Sequence, residues 1–360
     1  MRNLRNLVSV LLVVSLVLLS ACGSSGAPKA SSGSPAAPSA GQASASSQAS
    51  GEKVVWKFGS EATQVDGRHP SVDILGFVAK EIEKSTNGKY TAEVFQSGQL
   101  GTEREVMESA VTGVLPFGGV ANTHVTTVNP LLGVYEFPFL FRSYDHFWNV
   151  VDSDITTELL ATTETSGAGL KTLDMGMSGI YSVSNNRNPV VKMADMKGLK
   201  IRTPGSPLPV GAINALGALA TPITWTETYT GLQQGLIDGV LTMPYGFYSG
   251  KIYEQNKYVS QINMFYIPFT FFTNPGYWNG IPAEDQALII QGLANAMEVN
   301  KSDLLDSENA AYEAIAARGM EVIPFEDLNL EEYVAACQPL YDEYQDQYGE
   351  WFDRIRAIAG

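Results

Sequence analysis

The sequence predicts an α/β fold of two lobes crossed by one long helix. Strand-like and helix-like hydrophobic patterns alternate through most of the chain, which is typical of α/β proteins. The body from Glu52 onward holds about 309 residues, more than one hydrophobic core usually fills. An uninterrupted segment from Pro282 to about Arg318 reads as a single helix. Together these observations favour two lobes rather than one.

The amino terminus has the features of a secretion signal. Arg2 and Arg5 precede an apolar run of about 13 residues, from Leu7 to Leu19, which is shorter than the roughly 20 residues needed to span a bilayer. The next residues, Ser20-Ala21-Cys22, resemble a bacterial lipobox. We therefore expect residues 1–22 to be a lipoprotein signal peptide that ends at a lipidated Cys22, the alternative being an ordinary signal with a chance cysteine.

Residues 23–52 are nearly all Ser, Ala, Gly and Pro, a composition that predicts a disordered tether. Removing Arg2 and Arg5 with the signal takes the formal charge from −15 to about −17, which argues against nucleic acid or an anionic membrane surface as a partner. The only cysteine besides Cys22 is Cys337, so we expect no disulfide within the body.

The body opens with a βαβ pattern. Residues 54–58 predict a strand, apolar positions between Val72 and Ile82 predict a helix that stops at Asn87-Gly88, and residues 90–95 predict the next strand. Similar alternation recurs at 199–202, 212–216 and 226–236. The alternation implies parallel sheets that bind ligands at the carboxyl ends of their strands.

The segment after Pro282 predicts a helix of more than roughly 50 Å, long enough to cross both lobes. Its apolar positions are expected to share one face: Ile290, Leu293, Met297, Leu304, Ala311 and Ile315.

Signatures of catalysis are scarce. His69, His124 and His146 lie far apart in sequence, and none has the i, i+4 spacing of a helical metal pair. The chain contains no Gly-x-Ser-x-Gly elbow, Walker loop or dinucleotide fingerprint. We therefore expect no metal, no cofactor and no enzymatic activity.

The middle of the chain carries a set of ordered motifs that resembles a known family. Residues 195–205 read Asp-Met-Lys-Gly-Leu-Lys-Ile-Arg-Thr-Pro-Gly, and the motifs Leu-Gly-Ala, Thr-Pro, Thr-Glu-Thr-Tyr, Leu-Gln-Gln-Gly and Ile-Asp-Gly follow between 216 and 239. Together they resemble the DctP-type solute-binding proteins of tripartite ATP-independent periplasmic (TRAP) transporters. Further matches at 98–105, 137–141 and 251–254 extend the resemblance from Trp56 to about Arg318.

The resemblance implies a periplasmic-binding-protein-like fold with hinge strands and a cleft that closes on a small carboxylate. It places lobe 1 at 53–178 with 267–281 returning to it, lobe 2 at 179–266, the spanning helix at 282–318 and a packing segment at 319–360. It also implies delivery of the ligand to the small and large TRAP membrane subunits by a monomer outside the cytoplasm. A ligand-presenting sensor subunit, or the binding protein of another transport system, remains the alternative.

The family uses the arginine of the Lys-Ile-Arg strand to hold the ligand carboxylate, and here that residue is Arg202. Many members carry a second arginine where this chain has Tyr181, and an asparagine where it has Thr242. Trp225 stands where the family has a pocket phenylalanine. Ligand contacts in the first lobe of some relatives correspond to Glu61, Glu103, Asn122 and His124.

His69-Pro70 fits the start of the first helix, so we expect capping rather than ligation there. Because Tyr181 and Thr242 replace more polar residues, we expect a monocarboxylate whose apolar or aromatic remainder packs on Trp225, Tyr181 and the nearby Tyr245 or Phe247.

Overall fold

The computed structural model of the protein describes residues 53–360. The predicted signal peptide, the lipidated Cys22 and the tether at 23–52 lie outside the described residues. Within 53–360, no helix is both long enough and apolar enough to cross a membrane.

Nine strands are described: β1 (Val54–Gly59), β2 (Tyr90–Phe95), β3 (Phe117–Ala121), β4 (Lys171–Asn185), β5 (Lys200–Thr203), β6 (Leu219–Pro222), β7 (Gly239–Thr242), β8 (Tyr258–Thr273) and β9 (Glu321–Ile323). The α-helices of the same range are α1 (Pro70–Ser85), α2 (Glu103–Val111), α3 (Asn122–Val125), α4 (Tyr144–Val151), α5 (Asp154–Thr165), α6 (Pro207–Ala215), α7 (Trp225–Gln233), α8 (Pro244–Ser249), α9 (Pro275–Asn279), α10 (Ala283–Ala316), α11 (Leu330–Glu343) and α12 (Gln345–Ala357). Short 3₁₀ turns occur at Pro130–Glu136, Met193–Met196, Ile252–Glu254 and Phe325–Asp327.

The opening βαβ unit is confirmed. Strands β1 and β2 pair in parallel, with Val54 opposite Tyr90 and Gly59 opposite Phe95. Helix α1 connects them, and its first turn is capped by the side chain of His69, which accepts a hydrogen bond from the backbone N–H of Ser71 at 3.2 Å.

The larger sheet is mixed, which corrects the prediction of wholly parallel sheets. Its strand order is β3-β8-β4-β7-β5-β6, with β9 beside β8. The pairs β5–β6, β5–β7 and β8–β9 are parallel, whereas β3–β8, β4–β8 and β4–β7 are antiparallel. The local alternation of strand and helix patterns shows which segments are strands but does not reveal that two long strands return in the opposite direction.

Those two long strands, β4 and β8, run through both lobes. Met175 of β4 and Phe271 of β8 lie in the apolar cluster of the first lobe, which also contains Phe58 of β1. Farther along the same strands, Val183 and Met264 lie in a second cluster, with Ile201, Ile213 and Leu241. A third cluster, centred on Leu232, Phe247 and Val259, extends the second lobe. The fold is therefore a two-lobe α/β fold whose lobes share strands.

Helix α10 is the predicted long helix. Its 34 residues correspond to about 51 Å at roughly 1.5 Å per residue. Its buried face includes five of the six residues predicted for it, namely Leu293, Met297, Leu304, Ala311 and Ile315. The prediction is wrong for Ile290, which is exposed, because the preceding Ile289 is the residue that faces the core.

Candidate ligand-binding site

A cavity of about 400 Å³ lies where residues of both lobes meet. It is bordered by the segment after β1, the start of α2, the middle of β4 and the ends of β5 and β7. Its lining residues are Glu61, Ala62, Thr63, Val65, His69, Glu103, Tyr181, Arg202, Pro204, Trp225, Thr242, Met243, Gly246 and Ser249. The volume is within the usual range of small-molecule sites.

Strands β5 and β7 aim two of the predicted residues at this cavity. The strands are parallel neighbours, with Arg202 paired to Val240, so their carboxyl ends reach the same edge of the sheet. Arg202 lies one residue before the end of β5, and Thr242 is the last residue of β7. The location agrees with the expectation that ligands bind at strand carboxyl ends.

Arg202 is a buried cation without an acidic partner among residues 53–360. Only 7% of the residue is exposed, and none of the ion pairs formed in this part of the chain includes it. Its Nε donates to the carbonyl oxygen of Ile223 at 3.1 Å, which orients the planar group. Desolvation lowers the pKa of the guanidinium, since burial disfavours its charged form.

Two aromatic residues flank this cation. Trp225 is the first residue of α7, and the guanidinium carbon of Arg202 lies 5.4 Å from the centroid of its indole ring. A capping box between Thr224 and Glu227 fixes the start of that helix and hence the position of Trp225. Tyr181 is half-buried on β4, which β7 separates from the β5 strand of Arg202, and burial raises the pKa of its phenol, which therefore stays protonated and able to donate.

Carboxyl groups form another part of the wall. Glu61 is exposed, whereas Glu103 is buried at the start of α2 and accepts a hydrogen bond from the backbone N–H of Ala121 at 3.0 Å. The pKa of Glu103 is raised to about 7, mainly by burial; the Ala121 N–H opposes the rise and the nearby charge of Glu61 adds to it. The cavity is therefore more polar than the sequence predicted.

His124 and Asn122 do not line the cavity. His124 Nε2 lies 3.6 Å from Glu103 Oε2, so it reaches the site only through that carboxyl group, and burial lowers the pKa of its imidazole. Asn122 is fully buried: its amide nitrogen donates to Leu132 O at 2.9 Å and to Glu136 Oε1 at 3.1 Å. The hydrogen-bonding groups of Asn122 are thus used within the first lobe.

His69 both caps α1 and lines the cavity. Burial lowers the pKa of its ring to about 4, so the imidazole is neutral near pH 7. Because Nδ1 accepts from Ser71 N–H, the proton of the neutral ring resides on Nε2. The sequence assigned this residue to capping alone.

Several lining residues were missed by the sequence reasoning. Pro204 and Met243 directly follow β5 and β7, so their positions at strand ends could have revealed them. Gly246 is required by close packing, because a Cβ there would come within 2.6 Å of Thr242 Oγ1. Thr63 and Ser249 carry no local signal.

Tyr245 and Phe247 lie elsewhere than the sequence suggested. Phe247 is fully buried in the third apolar cluster. The hydroxyl of Tyr245 donates to Val65 O at 2.6 Å and accepts from Val65 N–H at 3.1 Å, and the hydroxyl of Tyr248 donates to the carboxylate of Asp66. These contacts tie α8 to the loop after β1 at the rim of the cavity.

Residues 62–347 match the family model described as bacterial extracellular solute-binding protein, family 7, named DctP. A curated solute-binding protein of Verminephrobacter eiseniae is 30% identical over 282 residues, which cover 78% of this chain and 83% of the relative.

Comparison with solved structures points to the same family. A TRAP periplasmic solute-binding protein from Bordetella, with density assigned to pantoate, superposes with a TM-score of 0.76 at 29% identity, covering 86% of this chain and all of that one. The corresponding protein of Pseudomonas putida F1, with bound D-glucuronate, gives a TM-score of 0.76 at 28% identity and covers 85% of this chain and 98% of that one. The chain therefore belongs to the DctP family of bacterial extracellular solute-binding proteins and is a solute-binding protein of the TRAP type.

Proposed function

We propose that this protein binds a small hydroxylated monocarboxylate in the cavity and delivers it to the membrane subunits of a TRAP transporter. The observation that carries the proposal is the buried Arg202, which has no acidic partner in residues 53–360. An isolated buried charge is costly, and a ligand carboxylate with two oxygens matches the planar fork of a guanidinium.

The two glutamates favour a ligand with a single carboxylate. A second carboxylate would meet the charge of Glu61 and, above about pH 7, that of Glu103 in the same cavity. A ligand hydroxyl group can instead donate a hydrogen bond to the carboxyl group of Glu61 or of Glu103. We therefore expect the rest of the ligand to carry hydroxyl groups at one end and to pack on Trp225 and Tyr181 at the other. The sequence alone predicted an apolar or aromatic remainder.

The related structures support this ligand class. Pantoate and D-glucuronate, found with the Bordetella and Pseudomonas putida proteins, each combine one carboxylate with hydroxyl groups. We propose that the ligand of the present protein belongs to the same chemical class, without choosing either compound.

Ligand capture is proposed to close the lobes at the boundaries stated above, with 53–178 and 267–281 on one side and 179–266 on the other. A ligand that contacts Arg202 of one lobe and Glu103 of the other favours the closed form, because only that form offers both contacts. The transporter can then distinguish loaded from empty protein.

We also propose that lipidated Cys22 anchors the protein to the outer face of the cell membrane through the tether at 23–52. Cys22→Ser should then produce a folded body that no longer sediments with membranes, or a precursor that is not processed. A normally processed Cys22→Ser protein that still partitions into detergent would contradict the anchor.

Calorimetric titration of residues 53–360 with D-glucuronate, D-galacturonate, pantoate, succinate and D-glucose tests the proposed ligand class. We expect binding of at least one hydroxylated monocarboxylate, weaker or no binding of succinate, and none of the uncharged D-glucose. Tight binding of succinate alone would overturn the monocarboxylate proposal, although the family assignment would stand.

A further inference from the structure

The middle of β4 is held by α10 as well as by its neighbouring strand β8. Register shifts interrupt the β4–β8 pairing between Met177 and Gly179 and again between Tyr181 and Val183. Between these points β4 passes from the apolar cluster of the first lobe to that of the second. This is the segment about which the lobes must bend if they open.

At the Met177/Gly179 shift, the backbone of Met177 is bound by a side chain of α10. Met177 lies opposite Pro268. Since proline has no N–H, the two residues form a non-hydrogen-bonded pair, and the N–H and C=O of Met177 face away from β8. The side chain of Asn300 on α10 binds these groups: its Oδ1 accepts from Met177 N–H at 2.9 Å and its Nδ2 donates to Met177 O at 3.1 Å. Both backbone groups of Met177 are thereby satisfied by one amide.

A second contact lies two turns along the same helix. Glu308 is buried, and its Oε1 accepts from the backbone N–H of Ile180 at 2.6 Å. Farther along, the hydroxyl of Tyr312 is 2.7 Å from Ser182 Oγ. Asn300, Glu308 and Tyr312 are spaced by multiples of four, so they share one face of α10.

The clamped segment is also the wall of the ligand cavity. Side chains alternate along a strand, so Tyr181 projects away from α10 and lines the cavity. Gly179 lies against Met243, another lining residue, so closely that an added Cβ would be 2.9 Å from Met243 Cβ and 3.2 Å from Glu308 Oε1. One backbone segment thus connects α10 to two lining residues.

We propose that Asn300 and Glu308 are positioning residues, which hold the bend of β4 and thereby set where Tyr181 and Met243 stand in the cavity. They do not contact the ligand. The proposal rests on the assignment of this cavity as the ligand site, but its structural part concerns the ligand-free protein as well. It makes α10 the element that controls the angle between the lobes.

The test uses Glu308→Leu, which removes the acceptor for Ile180, and Glu308→Gln, which keeps a carbonyl oxygen in its place. Asn300→Ala breaks the other contact and serves if Glu308→Leu does not fold. Glu313→Leu, an exposed position on the same helix, is the matched control. Spin labels on cysteines introduced into residues 53–360 at the exposed positions Glu93 and Gln234 report the distance between the lobes, since Cys337, the native cysteine of that range, is buried.

In the ligand-free protein we expect Glu308→Leu and Asn300→Ala to broaden the distance distribution and to speed amide exchange at Ile180 or Met177 at least tenfold. Glu308→Gln and Glu313→Leu should match the unsubstituted protein. Affinity for D-glucuronate should fall at least fivefold in Glu308→Leu and recover in Glu308→Gln.

A folded Glu308→Leu protein with unchanged distances and exchange would overturn the positioning role, as would a loss of thermal stability without any change in the distances. Failure of the unsubstituted protein to bind D-glucuronate would count against the ligand class alone, because the distances and exchange rates are measured without ligand.

Discussion

The guanidinium carbon of Arg202 lies 5.4 Å from the centroid of the Trp225 ring, so the buried cation of the cavity faces an aromatic surface. Such a contact contributes about 0.5–2 kcal/mol, depending on desolvation. The contact offsets only part of the free-energy cost of burying the Arg202 charge. An anionic ligand that pairs with the guanidinium would offset the rest, which favours its binding.

Replacing Arg202 should affect stability and binding in opposite directions. Arg202→Met removes a buried charge, so the free energy of unfolding of the ligand-free protein should rise by about 1–3 kcal/mol. Arg202→Ala should weaken binding of the best acid by about 2–5 kcal/mol, and Arg202→Lys should recover only part because an ammonium lacks the fork. Denaturant unfolding and calorimetry measure the two quantities.

The matched control for this substitution is Arg354→Met, since Arg354 lies on α12 and pairs with Glu158 at the surface. Near-unchanged affinity in Arg202→Ala would remove this residue from the site.

Ligand binding should change the fluorescence of Trp225. A carboxylate that neutralises the neighbouring cation alters the field at the indole ring, so titration with a binding acid should shift or quench the emission. Trp225→Phe should abolish most of this signal, although the chain has five tryptophans. The control is Trp351→Phe, because Trp351 lies on α12, away from the cavity. A signal retained in Trp225→Phe would show that the ligand lies elsewhere.

Tyr245→Phe should loosen the rim of the cavity. The substitution keeps the ring but removes both hydrogen bonds to Val65, which should lower the free energy of unfolding by about 1–2 kcal/mol. It should also raise the dissociation rate of a bound acid, measured by stopped-flow fluorescence. Tyr253→Phe is the comparison, because the Tyr253 hydroxyl forms no hydrogen bond within residues 53–360. Equal rates in the two variants would refute a role in closure.

The contribution of Glu308 to stability should decrease from mildly acidic to mildly alkaline pH. Burial raises the pKa of Glu308 from its ordinary value of 4.5 to about 8. Between those values the unfolded chain releases a proton that the folded protein keeps, so the free energy of unfolding falls as pH rises and levels off above about pH 8. The phenols of Tyr144, Tyr266 and Tyr312 stay neutral there because burial raises their pKa values, and Arg142 is the cation bordering the same region.

Glu308→Gln cannot ionise, so at pH 8 it should be more stable than the unsubstituted protein by about 2–4 kcal/mol, with little difference at pH 4.5. Unfolding in denaturant at pH 4.5, 6.5 and 8 measures this difference. Glu313→Gln, at an exposed site, should leave the pH profile unchanged. A larger gain at acidic pH than at pH 8 would contradict the assignment.

Local patterns predicted much of the fold and the centre of the site. The strand–helix–strand opening, the long helix and the location of Arg202 at a strand end all depend on residues close in sequence. The location of Asn122 outside the cavity lining could not be predicted, because its partners, such as Thr270, are distant in sequence. The antiparallel pairing of β4 with β8 could not be predicted either, because the two strands are distant in sequence. The burial of Glu308 against β4 could not be predicted, since a glutamate in an amphipathic helix usually faces solvent.

The position of β8 in the chain determines when the protein can fold. Strand β3 ends at Ala121 but pairs with residues 269–273, and β4 takes its longest pairing from the same late strand. No compact first lobe can form until that strand is available, so the folding nucleus must join segments about 150 residues apart, and closing such loops slows folding. Synthesis up to roughly residue 250 therefore leaves a chain that lacks the strand with which both β3 and β4 pair.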